Sequence, residues 1–474
     1  MAPRITRAVV ATLGSLALAA AADARPPEHR DHDRDRPPLT MPWLGDPYPS
    51  TYHALPRSDL VIRHATILDG AGKRIDDGDL SVHDGRIVAI GHGLAAVAGA
   101  SEIDARGRWL TPGLIDPHSH DGTYVVPLTS VDRDASDVSE MSDWNVADTW
   151  IEHAVNPQDP AFALALAGGV TTLQVLPGSS PLIGGRSVVL KPVSATTMAA
   201  MKFPDAPAGL KMACGENPKL TSAGKSRAPT SRQGEIALLR KTMVEGQDYI
   251  RGWRHAADEG GRPPPRDLRK DTIAALLEGD LRLNVHCYRA DEMATMIALS
   301  HEFGFKIASF HHAVEGYKIA PLLKAERICA AVWPDWWGFK MEALDGIREN
   351  AAFLSAAGVC TMMHSDSPAI GQRLAMEAAK AAGVGRRAGL SLPPETVIEW
   401  VTRNPAIALG LADRIGTIAP GMNADLVVWS GDLFSVYSHA DTVLIDGAVA
   451  FDRHDPARQP RSDFALGRPT MVRP

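Results

Sequence analysis

The chain has 474 residues, 45% of them hydrophobic and 22% charged, and a formal net charge of -7. That composition describes a folded protein with a large core and excludes a disordered or collagen-like chain. The charge is mild and no large basic block occurs, which argues against nucleic acid as a partner; the length suits a barrel with additions, or about two or three domains.

Residues 1–24 combine Arg4 and Arg7, the apolar run "AVVATLGSLALAAA", and small residues at Ala22 and Ala24. This is the pattern of a secretory signal peptide cut after Ala24. The apolar run is short and rich in alanine for a membrane span; an N-terminal anchor helix is the lesser alternative, and a periplasmic or secreted protein without a stable span is expected. Residues 25–58 are rich in proline and charge and read as a linker, mostly disordered. From Asp59, "DLVIRHATILDG" and "DLSVHDGRIVAIG" alternate apolar and polar residues and are cut by Asp-Gly turns, the mark of short strands. Similar strands return near the other end in "GTIAPGMNADLVVWS" and "ADTVLIDGAVAF". The economical reading is a small β-sandwich domain made from residues 59–110 and 410–455, followed by a tail at 456–474.

Residues 111–409 alternate strand and helix patterns. The expected strands are Trp109–Asp116, Val170–Leu176, Ser187–Lys191, Leu210–Cys214, Leu281–Cys287, Lys306–His312, Arg327–Trp333 and Gly358–Asp366. Helical patterns such as "RADEMATMIALSHEFG" and "GQRLAMEAAKAAG" lie between most of them. The fold class is therefore α/β, with a (β/α)8 TIM-type barrel. The second and third strands are joined by what reads as a loop. Residues 215–270 form a long excursion after the fourth strand, and in this architecture such excursions build the C-terminal face. Cys214, Cys287, Cys329 and Cys360 lie far apart, at or near strands; an exported chain can form disulfides, but buried free thiols are the expectation.

"PGLIDPHSH" places His118 and His120 one residue apart at the end of the first barrel strand, so both side chains point the same way. His286 ends the fifth strand, His312 the sixth and Asp366 the eighth, while Glu216 follows the fourth. Six such side chains converging from five strands suit one or two divalent transition metals, zinc first among them. A bound divalent ion lowers the pKa of water and polarises a carbonyl, so the expected chemistry is hydrolysis. His301 sits in a helical pattern and reads as structural. His311 is expected to point away from His312, and His364 reads as a supporting or core residue on the face of Asp366.

The stretches "LTPGLIDPHSH", "GGVTTLQVLPGSSPLIGG", "KMACGENPK", "EGYKIA", "NPAIALGLADRIGTIAPGMNADLVVWSGD" and "VLIDGAVA" resemble the amidohydrolase superfamily, in its imidazolonepropionase-related branch, from about Asp59 to Phe451. The resemblance implies a metal-dependent hydrolase barrel acting on a C–N bond of an amide, cyclic amide or amidine. It implies His118 and His120 as ligands of the buried metal and His286 and His312 as ligands of a second. It implies Asp366 as ligand and proton shuttle, with His286 or His312 available to stabilise the oxyanion. Relatives bridge their metals with a carboxylated lysine or a glutamate, and this chain offers Lys211 and Glu216, of which Glu216 is preferred because it follows the strand, where the loop can turn it inward, and needs no modification. The substrate is a small molecule, and a homo-oligomer is left open. Tyr288, Arg289 and Trp333 are candidate substrate contacts. Arg289 serves equally as half of a salt bridge at a helix start, and Trp333, Trp336 and Trp337 serve equally as loop packing. A dipeptidase or carboxypeptidase-like activity is the alternative, which Arg289 as carboxylate anchor would favour. A non-catalytic binding protein on the same fold would be expected to lack the ligand set.

Overall fold

The computed structural model describes residues 40–95, 98–126 and 129–459; the expected signal segment 1–24 lies outside them, as do most of the linker and the tail from 460. Five strands come first: β1 (Leu60–Leu68), β2 (Arg74–His83), β3 (Arg86–Gly91), β4 (Ser101–Asp104) and β5 (Trp109–Pro112). Eight follow: β6 (Leu114–Ser119), β7 (Val170–Val175), β8 (Ile183–Leu190), β9 (Gly209–Ala213), β10 (Arg282–Cys287), β11 (Ile307–His312), β12 (Cys329–Val332) and β13 (Thr361–Met363). The last three are β14 (Leu426–Trp429), β15 (Ala440–Ile445) and β16 (Ala448–Asp452). Among the described residues no helix is long and apolar enough to cross a membrane.

The two ends of the chain meet in one eight-stranded sheet, ordered β16-β15-β14-β5-β1-β2-β3 with β4 also on β1. Where the sequence suggests a sandwich, hydrogen bonds run continuously through β1, β5 and β14. Strand alternation gives this sheet two apolar faces. Leu426 and Val428 of β14 join Ile62 and Leu80 in a core belonging to the sheet, while Val427 and Trp429 join the barrel core. The buried Lys191 ties the two units together, its Nζ 3.2 Å from Asp425 and 2.9 Å from Asp446.

The expected first strand, Trp109–Asp116, is two strands in different sheets. Gly113 makes the switch: a Cβ there would stand 2.0 Å from Thr171 Oγ1, so only glycine lets β6 pack this closely on β7. The barrel sheet runs in sequence order from β6 to β13, and helices such as Pro160–Ala167, Ala290–Phe303 and Leu374–Arg387 lie along the chain between or after its strands. All neighbours are parallel except β8, which is antiparallel to both β7 and β9. Too few residues separate β7 from β8 for a crossover helix, so the strand returns antiparallel. Between β13 and β6 the barrel closes through individual bonds. Asp366 N–H donates to His118 O at 2.9 Å. The Asp116 carboxylate accepts from the backbone N–H of both His118 and Ser365 at 3.2 Å.

Two expectations are corrected here. All four cysteines are paired, Cys214 with Cys287 and Cys329 with Cys360, where neighbouring strands bring their Cα atoms to 5.3 and 4.5 Å. Part of the expected linker is ordered: Trp43 is 4% exposed, with its ring 5.9 Å from Tyr249 and 6.5 Å from Trp253 on the helix Arg232–Glu259. A large aromatic side chain in an otherwise polar segment found an apolar surface to cover.

Candidate metal centre and mouth cavity

His118 and His120 project from β6 toward the segment after β13. Their Nε2 atoms lie 3.2 and 3.0 Å from the same oxygen, Asp366 Oδ1, and 3.3 Å from each other. The hydrogen bond from His120 Nδ1 to Leu176 O, at 2.8 Å, puts a ring proton on Nδ1 and turns Nε2 toward the Asp366 carboxylate, the position of a metal-ligating nitrogen. His118, His312 and His364 form a second group whose nitrogens lie within 4.8 Å of one another. His286 stands beside His312, with ring centroids 4.5 Å apart. Both nitrogens of His286 and His364, and Nδ1 of His312, are buried without a hydrogen-bond partner. Burial pushes the pKa values of His118, His286 and His312 well below the usual histidine range and that of His364 down to about 4, so the rings are neutral. Buried, neutral, unpartnered imidazoles around a carboxylate are a donor set that fits a divalent transition metal.

Backbone geometry, as well as strand period, aims these side chains. His312 and Asp366 have φ of 71° and 51°, left-handed values that cost a non-glycine residue about 1–3 kcal/mol and gather at functional sites. The turn at His312 corrects the expectation for its neighbour. His311 continues the inward face of β11, opposite His286 in register, and His312 is rotated into the same space by its positive φ. His364 likewise stands among the potential ligands.

His311 reaches His118, Nδ1 to Nδ1, at 3.0 Å. Its Nε2 lies 2.7 Å from Ser309 Oγ, which donates to Asn284 Oδ1 at 2.9 Å. With the proton of His118 on Nδ1, His311 accepts it and passes its own Nε2–H to Ser309, and His118 Nε2 is left bare. This relay is invisible to motif reading because its members belong to three strands. We expect His311→Ala to weaken divalent-metal binding by about 10- to 100-fold, measured by competition with a chromogenic chelator, with the far-ultraviolet circular dichroism unchanged.

The bridging residue preferred from sequence is displaced. Gly215, at φ 83°, turns the chain after β9, and Glu216 begins the helix Glu216–Gly224. Its carboxylate accepts from Glu342 N–H at 3.3 Å, and Glu216 N–H donates to Glu342 Oε1 at 2.7 Å. Lys211 points into the barrel instead, buried, with Nζ 3.0 Å from Pro177 O. Burial lowers its pKa to about 8, and its charge in turn helps lower those of His118, His286 and His311.

A cavity of about 650 Å³ opens above these groups. His118, His120, His286, His312 and Asp366 form its floor. Tyr288, Trp333, Trp336 and Phe339 form one wall; Trp333 lies against His312 with ring centroids 4.2 Å apart. Arg133, Asn217 and Lys340 also line it, and sequence reading singled out none of them. Arg289 does not line this cavity: its guanidinium holds Asp291 at 2.9 and 3.1 Å at the start of the helix Ala290–Phe303. Trp337 is 63% exposed and donates its Nε1–H to Leu344 O.

Behind the wall, Arg232 bonds both Glu292 and Glu342, and buried Glu235 accepts from Gly215 N–H at 2.9 Å. Burial pushes Glu235 up to about 7 from an ordinary 4.5. Between those pH values the folded chain keeps a proton that the unfolded chain has lost, so stability falls as pH rises through this window. Glu235→Gln keeps the acceptor and removes the titration. We expect it to flatten the decline, by at most about 1.4 kcal/mol per pH unit, in urea melts between pH 5 and about 8.

The sequence pattern of the amidohydrolase family matches residues 196–453. The chain is 31% identical over 461 residues to Amidohydrolase tasK of Hapsidospora irregularis, covering 91% of this chain but only 44% of that longer protein. It is 27% identical over 403 residues to the imidazolonepropionase of Stenotrophomonas maltophilia, covering 78% of this chain and 90% of that one. The crystal structure of an amidohydrolase from Thermotoga maritima superposes with a TM-score of 0.76 at 33% identity, over 83% of this chain and 100% of that one.

Proposed function

The chain belongs to the amidohydrolase superfamily, in its imidazolonepropionase-related branch, and from that premise we propose that it is an exported, metal-dependent hydrolase of a C–N bond in an amide, cyclic amide or amidine. The observation that carries the reading is the convergence of His118 and His120 on Asp366 Oδ1 beside the unpartnered nitrogens of His286, His312 and His364. These residues would hold the ion, with zinc the first choice for imidazole and carboxylate ligands. When bound, a divalent ion supplies Lewis acidity and an acidified water.

The chain's own residues do the rest. Among the described residues Asp366 is the one carboxylate lining the cavity, where it can take a proton from the attacking water and return it to the leaving nitrogen. His120 is held by Leu176 O and His118 by His311, so neither ring reorients during the cycle. Tyr288, packed on His286 with ring centroids 4.9 Å apart, offers a hydroxyl to a substrate oxygen. The wall of Trp333, Trp336 and Phe339 limits water at the reacting bond.

Export belongs to the same proposal. It rests on the N-terminal pattern and is supported by two disulfides, which persist in oxidising compartments. Amine or ammonia release from amides, cyclic amides and amidines, by protein loaded with zinc, manganese or cobalt, tests the reaction. Turnover of one class that disappears on chelation is expected. Failure of metal-loaded protein on all three classes would remove the catalytic reading and leave a binding protein.

A further inference from the structure

The mouth cavity is unevenly charged. Among the described residues two cations, Arg133 and Lys340, line it, and Asp366 is the only carboxylate. A metal held by the histidines adds further positive charge. Glu342 and Glu216, beyond the lining, offset part of this charge, but the cations that face the cavity would still draw in and orient an anionic group.

Lys340 is the sharper of the two cations. Its Nζ donates to Asn217 Oδ1 at 2.6 Å and stands 3.9 Å from the centroid of the Tyr288 ring. Among the described residues, no carboxylate lies within ion-pair distance of it. An ammonium has three N–H donors, and one is used by Asn217, so two remain for a ligand. The position is built rather than incidental. Asn217 is fixed by donating to Ser179 Oγ at 2.7 Å. Two residues beyond Lys340, Glu342 exchanges backbone-to-carboxylate bonds with Glu216 and receives Arg232. Glu342 and Glu216 act on this half-buried lysine from beyond ion-pair distance, and each accepts a backbone N–H of the other, so the two spare donors of Lys340 are available for an acid that arrives with the substrate.

The aromatic wall adjoins this ammonium. Trp333 and Trp336 are stacked at 4.6 Å, and Phe339 meets them edge-on at 5.9 and 6.1 Å. Phe339 immediately precedes Lys340, so one short segment presents an apolar plate and a cation side by side.

We propose that the substrate carries a free carboxylate bound by Lys340, with an adjacent apolar or aromatic group on the Trp333–Trp336–Phe339 wall and the scissile C–N bond over Asp366. N-acyl derivatives of apolar amino acids and dipeptides ending in them have this arrangement. Lys340 is then a substrate-binding residue, in the role that sequence reading offered to Arg289. The inference rests on the hydrolase reading, and the experiment is arranged to separate the two.

Metal-loaded protein is assayed on N-acetyl-L-phenylalanine, N-acetyl-L-leucine and Gly-Phe, each beside the analogue whose terminal carboxylate is a carboxamide. The acids are expected to have KM values about 10- to 100-fold below those of the carboxamides, the range for one charge-assisted contact. Lys340→Met, which keeps the apolar stem, is expected to erase that preference by raising KM for the acids far more than for the carboxamides, and KM more than it lowers kcat. Equal KM values for acids and carboxamides, or an equal loss on both in Lys340→Met, would overturn the inference while the hydrolase reading stands. If no compound is turned over, calorimetry of N-acetyl-L-phenylalanine and its carboxamide on the metal-loaded protein decides. Acid-selective binding that is lost in Lys340→Met sustains the carboxylate site without the hydrolase, and absence of selectivity removes it.

Discussion

Asp366→Asn is expected to lower turnover by about 10²- to 10⁴-fold, the range for loss of a positioned general acid–base. Asparagine keeps the size of the side chain and an oxygen beside His118 and His120, but it cannot hold and release a proton. The backbone bond from residue 366 to His118 O, which helps close the barrel, survives the change. The variant should therefore fold, and most of its metal binding should persist on the imidazoles. The measurement is kcat and kcat/KM against pH, beside metal content per chain. A drop in kcat at near-native metal content, with loss of the limb of the pH profile belonging to the carboxylate, is the expected result. Activity within tenfold of native would show that another group moves the proton.

How far the sequence reaches depends on which physical rule places each residue. Strand period two is local, so the common direction of His118 and His120 was readable, as was His286 near the end of β10; Asp366 was expected as a strand end but lies three residues past β13, turned by a φ of 51°. Features set by the sign of a backbone dihedral were not. His311 was expected to point away because alternation assigns it to the face opposite His312; a φ of 71° at His312 brings both rings inside. Register is also non-local. The pairing of Cys214 with Cys287 depends on how β9 sits against β10, and the direction of β8 depends on the short link before it. Lys340 lay in a loop without periodicity, next to tryptophans that drew attention first. Its importance appears only when Asn217, Tyr288 and the cavity are seen around it.

The choice between Lys211 and Glu216 shows the same limit of local reading and leads to a second large effect. Position after a strand favoured Glu216, but the left-handed Gly215 starts a helix there and commits the Glu216 carboxylate to Glu342 N–H. Lys211 lies on the inward face of β9, paired in register with Asn284, two residues before His286. Its lone hydrogen bond, to Pro177 O, does not require a charged amine, and a pKa near 8 leaves part of it neutral at physiological pH. A neutral amine can add carbon dioxide, releasing one proton and placing a carboxylate among the imidazoles. Lys211→Ala is therefore expected to lose metal and to cut turnover by on the order of 100-fold or more, the upper end seen when groups supporting a metal are removed. Glu216→Gln, which keeps an oxygen for Glu342 N–H, should retain native metal content and activity within a few-fold. Elemental analysis of both variants, purified with and without bicarbonate, separates the two residues. A gain of metal with bicarbonate in the native chain but not in Lys211→Ala would assign the bridge to lysine. The reverse pattern, with Glu216→Gln losing metal, would require the helix start at Gly215 to rearrange when the ion binds, and would return the bridging role to the glutamate.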